Sequence, residues 1–152
     1  MENLKIRDAE KKDVGQVLYM IKELATFERE KYAVKITEEE LLEDGFGDNP
    51  LYKCIVAEYK GDVIGFALYY IRYSTWQGKT VFLEDFLVED KYRSMGVGKL
   101  LFEEMISIAK RLKVRQMSWQ VLDWNEGAIR FYKKYEADFF EEWLNVRMLF
   151  PQ

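Results

Sequence analysis

The sequence predicts one α/β domain in which helices flank a mixed and mostly antiparallel sheet. The chain has 152 residues, the length of a single domain, and 49% of them are hydrophobic, enough for a core without disulfides. Apolar positions alternate along the chain between strand spacing and helical spacing. The elements they mark follow the order strand, two helices, three strands, helix, strand, helix, strand. No repeat, low-complexity tract or linker interrupts this order.

The first elements are a strand and two helices. Residues 4–6 form a short strand, and the apolar positions between Val14 and Ala25 recur at helical spacing. Residues 37–40, Thr-Glu-Glu-Glu, have the form of a capping box. We therefore expect a short second helix that ends near Gly45.

Three strands follow the second helix. Segments 52–59 and 63–73 are rich in apolar and aromatic residues, and the short connection between them contains Gly61. This pattern predicts an antiparallel hairpin. Gly78 then turns the chain into a third long strand, residues 80–88.

The last part of the chain alternates between helix and strand. Apolar residues recur at helical spacing from Val97 to Leu112. The next strand spans 116–122, Asn125 caps a further helix, and residues 139–150 close the chain as a strand. The strand-helix-strand unit predicts a parallel pair, and ligands of open α/β sheets tend to bind at the carboxyl ends of such strands.

The composition excludes several reaction classes. The chain has no histidine, so Ser-His-Asp and Cys-His mechanisms and the usual zinc-hydrolase ligand sets are absent, and we expect no metal. Its single cysteine, Cys54, lies in an apolar strand and is predicted to be a buried, inert thiol. Proton transfer must therefore use Tyr, Glu, Asp, Lys or water.

Net charge indicates the kind of partner. A formal charge of −4 argues against a nucleic-acid partner and favours a cationic small molecule. The N-terminus lacks the apolar stretch of a secretory signal, and no apolar run reaches the length of a membrane span. We expect a cytoplasmic protein with no membrane partner.

A glycine-containing loop, Arg-Ser-Met-Gly-Val-Gly at residues 93–98, joins a strand to a helix. Its glycines allow close backbone approach, and the N–H groups and dipole of the helix start favour a phosphate, with Arg93 and Lys99 adding positive charge. Neither a Walker A loop nor the dinucleotide fingerprint fits, because Leu100 and Leu101 occupy required positions. The alternative is a glycine-eased turn.

Two adjacent carboxylates, Glu84 and Asp85, interrupt an otherwise apolar strand. Successive strand residues face opposite sides of a sheet, so we expect these two to diverge. Buried carboxylates need compensation. They either lie at the open end of the sheet, bonded to backbone or water, or meet a cationic amine.

The loop matches the Arg/Gln-x-x-Gly-x-Gly/Ala signature of the GNAT acetyltransferase superfamily, and the order of elements matches as well. Within it, the chain resembles the diamine acetyltransferases, the spermidine/spermine and thialysine acetyltransferase group, over almost its whole length. The stretches that carry this resemblance are Ile-Lys-Glu-Leu-Ala at 21–25, Leu-Leu-Glu-Asp-Gly-Phe-Gly at 41–47, Leu-Glu-Asp-Phe at 83–86, Trp-Asn-Glu at 124–126 and Phe-Tyr-Lys at 131–133.

The resemblance implies acetyl-CoA as co-substrate and a sheet whose central parallel strands splay to admit it. The N–H of Leu87 would stabilise the oxyanion, and the backbone around Ser118 to Gln120 would line the other side of the cleft. The implied coenzyme contacts are Phe86, Leu87, Val88, Arg93, Ser94, Met95, Gly96, Val97, Gly98, Lys99 and Asn125. By sequence alone, Asn125 is simply a helix cap and residues 86–88 a core strand.

The resemblance also assigns acid–base roles in a direct transfer without an acyl-enzyme. Glu84 would help to remove the proton of the acceptor ammonium, through water, and Tyr132 would protonate the departing thiolate. An aromatic residue at helical spacing, such as Tyr132, is otherwise typical of a core position.

The implied acceptor is a small cationic amine: a diamine, a polyamine or a thialysine-like amino acid. Aromatic faces and carboxylates suit such a chain. The implied acceptor-site residues are Phe27, Glu28, Trp76, Glu84, Asp85, Trp119, Gln120 and Glu142. The family also pairs subunits through its C-terminal region, which implies a homodimer.

Three departures from the family pattern bear on the acceptor. Ser74 stands where the polyamine enzymes carry Asp, Glu136 replaces a glycine, and a glycine is missing before Trp143. The alternatives are acetylation of another small amine or of a protein amine, or an acyl-CoA sensor without turnover.

Overall fold

The computed structural model describes residues 1–152 and divides them into two compact units, Met1–Gln120 and Val121–Gln152. The strands of the first unit are β1 (Leu4–Asp8), β2 (Lys53–Tyr59), β3 (Asp62–Ser74), β4 (Gly78–Val88) and β5 (Met117–Ser118). Its helices are α1 (Val14–Phe27), α2 (Glu38–Phe46) and α3 (Val97–Arg111), with short 3-10 turns at Lys11–Asp13 and Asp90–Tyr92. The second unit contains α4 (Glu126–Lys133). None of these helices combines the length and the apolarity that a membrane span requires.

The five strands form one sheet in the order β1-β2-β3-β4-β5. Neighbouring strands are antiparallel except β4 and β5, which pair in parallel. Local signals act as the sequence predicts: the Thr37 side chain accepts from the Glu40 N–H at 3.1 Å, and Gly61 adopts φ 86° in the β2–β3 turn. The mixed α/β class is confirmed.

Different helices cover the two faces of this sheet. The face that we call the α1/α2 face carries one buried cluster with these helices: Val14, Val17, Leu18, Met20, Leu41, Cys54, Val56, Phe66, Leu68 and Leu87. Burial raises the pKa of the Cys54 thiol to about 12, which agrees with an inert thiol. Helix α3 covers the other face, where the Phe86 and Phe102 rings meet edge-on with centroids 5.8 Å apart.

A β-bulge interrupts the ladder between β3 and β4. Leu68 pairs with Asp85, whereas the next residue, Tyr69, pairs with Leu83. Glu84 is therefore the extra residue on β4. Bulges of this kind re-aim side chains and increase the local twist, and they are common beside active sites.

Two predictions about the end of the chain differ from the structure. The strand predicted at 116–122 is only Met117–Ser118. It is the last strand in the sheet order, so the parallel pair lies at the edge of the sheet rather than at its centre. The prediction of a strand at 139–150 is wrong, because this segment has no regular secondary structure. An apolar pattern favours a strand, but a strand forms only where a neighbour supplies its backbone hydrogen bonds. The large apolar side chains of this segment are exposed: Phe139, Phe140, Trp143, Leu144, Val146, Met148, Leu149 and Phe150.

Candidate active site

The carboxyl half of β4 continues beyond its parallel partner. Pairing between β4 and β5 is limited to Val81 with Met117 and Phe82 with Ser118, and the Val81 N–H donates to the Gln116 carbonyl at 3.1 Å. Strand β4 then runs on to Val88 along β3 alone. This leaves one side of β4 without a neighbouring strand, at the carboxyl end where ligands of open sheets bind.

The bulge gathers two carboxylates on one face of the sheet. Tyr70 lies two residues from Leu68 and shares its face, the α1/α2 face, and Asp85 lies directly opposite Leu68. The Tyr70 hydroxyl donates to Glu84 Oε1 at 2.9 Å, so Glu84 reaches the same face. The prediction that Glu84 and Asp85 diverge is therefore wrong, because the inserted residue breaks the alternation.

The bulge also sets which β4 amides face away from β3. The Glu89 N–H donates to the Ile64 carbonyl at 2.9 Å, and hydrogen-bonded pairs alternate along an antiparallel ladder. The next such pair is Leu87 with Phe66, so the Leu87 N–H points into the sheet. The N–H groups of Phe86 and Val88 point away from β3. The Val88 carbonyl accepts a hydrogen bond from Arg93 Nε at 3.2 Å. This orientation contradicts the oxyanion role expected for the Leu87 N–H.

Two neighbouring carboxylates oppose the ionisation of Asp85. Burial, followed by the negative charges of Glu84 and Glu28, raises the pKa of Asp85 to about 7. Glu28 is the residue at the C-terminal end of α1, and burial raises its pKa as well. A nearby cation would favour the ionised forms. This acidic cluster of Glu28, Glu84 and Asp85 is suited to a positively charged ligand.

The glycine loop forms an uncapped helix start. Gly96 is the N-cap of α3, with φ 86° and no side-chain cap, and the first helical bond runs from the Leu100 N–H to the Gly96 carbonyl at 3.2 Å. The amides of Val97, Gly98 and Lys99 precede that bond and have no intrahelical acceptor. A Cβ built on Gly96 meets no atom within 4 Å, so its outer side is open. Backbone N–H groups at such a start favour an anion.

Arg93 ties this loop to its surroundings. Its Nε donates to the Val88 carbonyl, its Nη1 lies 3.1 Å from an Asp90 carboxylate oxygen, and its Cζ lies 5.5 Å from the Phe27 ring centroid. These contacts link the loop, the end of β4 and the end of α1. Arg93 therefore has a structural role, and its expected contact with a phosphate stays a prediction.

The acetyltransferase (GNAT) family model matches residues 18–136, which is most of the chain and spans both compact units. The chain belongs to the GNAT acetyltransferase family. It is accordingly an acetyltransferase.

Known proteins similar to this acetyltransferase support the assignment. The thialysine N-epsilon-acetyltransferase of Mus musculus is 40% identical over an alignment of 158 positions, which covers 97% of this chain and 93% of that protein. The spermidine/spermine N(1)-acetyltransferase-like protein 1 of Homo sapiens is 38% identical over 139 residues, covering 87% of this chain and 20% of that protein. A solved aminoglycoside acetyltransferase from an uncultured soil metagenomic sample has a TM-score of 0.78, covers 98% of this chain and 97% of its own, and at 15% identity shows the fold alone.

Several residues expected in the acceptor site of this GNAT acetyltransferase lie outside the acidic cluster. The Ser74 hydroxyl accepts from the N–H groups of Trp76 and Gln77 at 3.1 and 3.0 Å, so this residue shapes the β3–β4 turn. Trp76 is exposed at the tip of that turn. Trp119 follows β5, and its ring meets Phe102 edge-on at 5.3 Å. Gln120, the last residue of the first unit, is exposed.

The second unit carries the remaining expected site residues. Asn125 caps α4, because its side chain accepts from the Ala128 N–H at 3.3 Å. Tyr132 is buried on α4, with its ring 5.6 Å from that of Phe131. Glu142 lies in the exposed segment without regular structure. Glu136 adopts φ 57°, the left-handed region that favours glycine, which explains why a glycine suits this position.

Tyr70 is the residue at the cluster that sequence reasoning missed. Its hydroxyl contacts Glu84, yet by sequence it is one of several aromatic residues in a strand. Its cross-strand partner is Phe82, and only the two-strand register with its bulge brings it to Glu84. No signal in the sequence distinguishes Tyr70 from its neighbours, because the register and the bulge depend on both strands together.

Replacing Asp85 by Asn should reduce the loss of thermal stability that accompanies a rise in pH from 5 to 8. A carboxyl group whose folded pKa is raised binds more protons when folded, so its contribution to stability falls as pH rises from about 4, the unfolded value, through about 7, and then stays constant. The melting temperature of Asp85→Asn minus that of the parent should therefore increase between pH 5 and pH 8. The exposed Asp48→Asn is the control, and a constant difference for Asp85→Asn would contradict the burial of this carboxyl among like charges.

Replacing Gly96 by Ala should weaken coenzyme binding at the helix start. Gly96 and Gly61 both have φ 86° with open space where a Cβ would lie, so both substitutions introduce similar backbone strain. We expect Gly96→Ala to raise the Kd of acetyl-CoA by about tenfold or more, equivalent to about 1.4 kcal/mol, because the methyl group occupies the anion's approach. Gly61→Ala should leave the Kd unchanged in calorimetry. Equal Kd values for the two variants would refute the loop assignment.

Proposed function

We propose that this acetyltransferase moves the acetyl group of acetyl-CoA to a primary amine of a small cationic acceptor by direct attack. The observation that carries the proposal is the cluster of Glu28, Glu84 and Asp85 beside the part of β4 that extends past β5. An acidic cluster at that position suits an acceptor that arrives as an ammonium ion and must lose a proton before attack.

The coenzyme would lie along the open side of β4. The glycine loop would bind the pyrophosphate with the first amides of α3, and Lys99, which is exposed, would add charge. The loop lies close to β4, since a Cβ built on Gly98 would be 3.7 Å from Phe86 Cζ, and this proximity supports a continuous path for the coenzyme. The Ser94 and Met95 backbone and the Asn125 side chain would complete the contacts implied by the family resemblance.

The oxyanion donor would be an amide that faces away from β3. Leu87 does not meet this requirement, whereas the N–H groups of Phe86 and Val88 do. We assign the Phe86 N–H to the thioester carbonyl because it lies nearer to Glu84 along β4. A donor fixed in a strand costs no reorganisation when charge develops on the oxygen.

Glu84 would receive the ammonium proton, directly or through water, and the neutral nitrogen would then attack the thioester carbon. Collapse of the tetrahedral species breaks the carbon–sulfur bond and releases the thiolate, while the nitrogen gives up its remaining excess proton to water as the neutral amide forms. Tyr132 would protonate that sulfur, a role that a phenol can fill in a chain without histidine. The support for Tyr132 is the family resemblance at Phe-Tyr-Lys 131–133.

The acceptor would be a diamine, a polyamine or a lysine-like amino acid. The similar proteins support this class, since they include a thialysine N-epsilon-acetyltransferase and a spermidine/spermine acetyltransferase-like protein. Ser74 in place of an aspartate removes one negative charge from the acceptor side and favours acceptors with fewer positive charges than spermine. Phe27, Trp76, Trp119, Gln120 and Glu142 remain expected acceptor contacts.

We also propose the organisation in which the enzyme works. The family match across both units supports a single GNAT domain over residues 1–152. A cytoplasmic homodimer fits the family resemblance and the exposed apolar segment 139–150, which a second copy could cover. The acidic composition supports a partner set of cationic amines without nucleic acid.

An acceptor screen with acetyl-CoA and a thiol-release readout tests the proposed function. Diamines, polyamines and lysine-like amino acids should release thiol, and Glu84→Gln should lower kcat by roughly 100- to 10,000-fold, the usual range for loss of an acid–base group. Glu39→Gln, which removes an exposed carboxylate of α2, should retain parental kcat. Acetyl-CoA binding without thiol release for any amine would instead support a sensor.

Replacing Tyr132 by Phe tests the assigned general acid. The substitution keeps the ring and its packing but removes the hydroxyl, so kcat should fall roughly 100- to 10,000-fold while melting temperature and acetyl-CoA affinity stay near parental values. Tyr135→Phe, whose ring contacts Phe131 at 5.4 Å, is the matched control in the same unit. A kcat within about threefold of the parent, with chemistry rate-limiting, would remove Tyr132 from the mechanism.

A further inference from the structure

Tyr70 is a polar residue at the acidic cluster that the proposed mechanism does not use. Its hydroxyl donates to Glu84 Oε1 at 2.9 Å. Burial, followed by the hydrogen bond and the charge of Glu84, raises the pKa of Tyr70 to about 12. The hydroxyl therefore stays protonated and remains a donor at neutral pH.

The position of this hydroxyl is fixed by packing across the hairpin. Tyr70 lies directly opposite Phe82, and their ring centroids are 5.5 Å apart. Arg72 lies over the same Phe82 ring, with its Cζ 4.9 Å from the centroid. Contacts between neighbouring strands restrain the Tyr70 ring, so its hydroxyl is a well-placed anchor.

Glu84 needs such an anchor. It is exposed and is the extra residue of the bulge, so no β3 residue is paired opposite it. A glutamate side chain has several rotatable bonds and loses much conformational freedom when it is fixed in one geometry. The hydrogen bond from Tyr70 is the contact that restrains the Glu84 carboxylate.

We propose that Tyr70 is a positioning residue that holds Glu84 through Oε1 and so presents Oε2 to the acceptor amine or its bridging water. The inference rests on the role proposed for Glu84. Tyr70 does not itself touch the acceptor. Its hydroxyl sets the place from which Glu84 receives the proton, and geometric precision of this kind strongly affects rate.

The first test compares two adjacent tyrosines of β3. Tyr70→Phe should lower kcat/KM for the acceptor about 10- to 100-fold, because misplacement of a reacting group by about 1 Å can cost that much. The KM for acetyl-CoA and the melting temperature should stay near parental values. Tyr69→Phe is the matched control, since Tyr69 is buried and faces the opposite side of the sheet. Similar losses in the two variants would overturn the proposal.

A double-mutant cycle then asks whether Tyr70 acts through Glu84. In the Glu84→Gln background, Tyr70→Phe should change kcat by less than about twofold, because residues that act as a unit are not additive. The same loss in both backgrounds would assign Tyr70 a separate structural role and overturn this proposal alone. Parental kcat for Glu84→Gln would overturn both the role of Glu84 and the inference that depends on it.

Discussion

The β-bulge at Glu84 is the constraint on which the site depends. One extra residue on β4 shifts the alternation of everything that follows it, so that Asp85 joins Glu84 on the α1/α2 face. The same shift turns the Leu87 amide into the sheet and directs Phe86 and Val88 away from β3. A single irregularity therefore places both the carboxylates proposed to bind the acceptor and the amides proposed to face the coenzyme.

The two faces of the sheet carry different groups of the candidate site. Glu28 at the end of α1 joins the carboxylates on the α1/α2 face, whereas the start of α3 lies against Phe86 and Val88 on the other. Strand β4 is the element that the two sides share. Arg93 connects them, because it contacts both the Val88 carbonyl and the Phe27 ring. In the proposed mechanism, the acetyl donor and the amine acceptor would meet at this strand.

Sequence alone predicts the features of this fold that depend on local signals. Periodicity predicts α1 and α3, Thr37 and Asn125 act as caps, and the glycine loop precedes a helix as expected. The bulge could not be predicted, because register depends on both strands at once and no residue type marks the insertion. For this reason Glu84 and Asp85 do not diverge as predicted, and the Leu87 N–H, expected to stabilise the oxyanion, points into the sheet.

The end of the chain shows a second limit of sequence reasoning. Segment 139–150 has the apolar composition of a strand, yet its side chains are exposed and it has no regular structure. Composition predicts that a segment can form a strand, whereas pairing decides whether it does. The interaction between Tyr70 and Glu84 belongs to the same category, since it depends on contacts between strands.

Backbone amide hydrogen exchange, measured by NMR with and without acetyl-CoA, tests the arrangement of β4 most directly. The Leu87 amide, which faces Phe66, should exchange slowly in the free protein and change little on binding. The Val88 amide, which faces away from β3, should gain protection when the coenzyme binds. Fast exchange of Leu87 in the free protein, followed by strong protection on binding, would contradict the account.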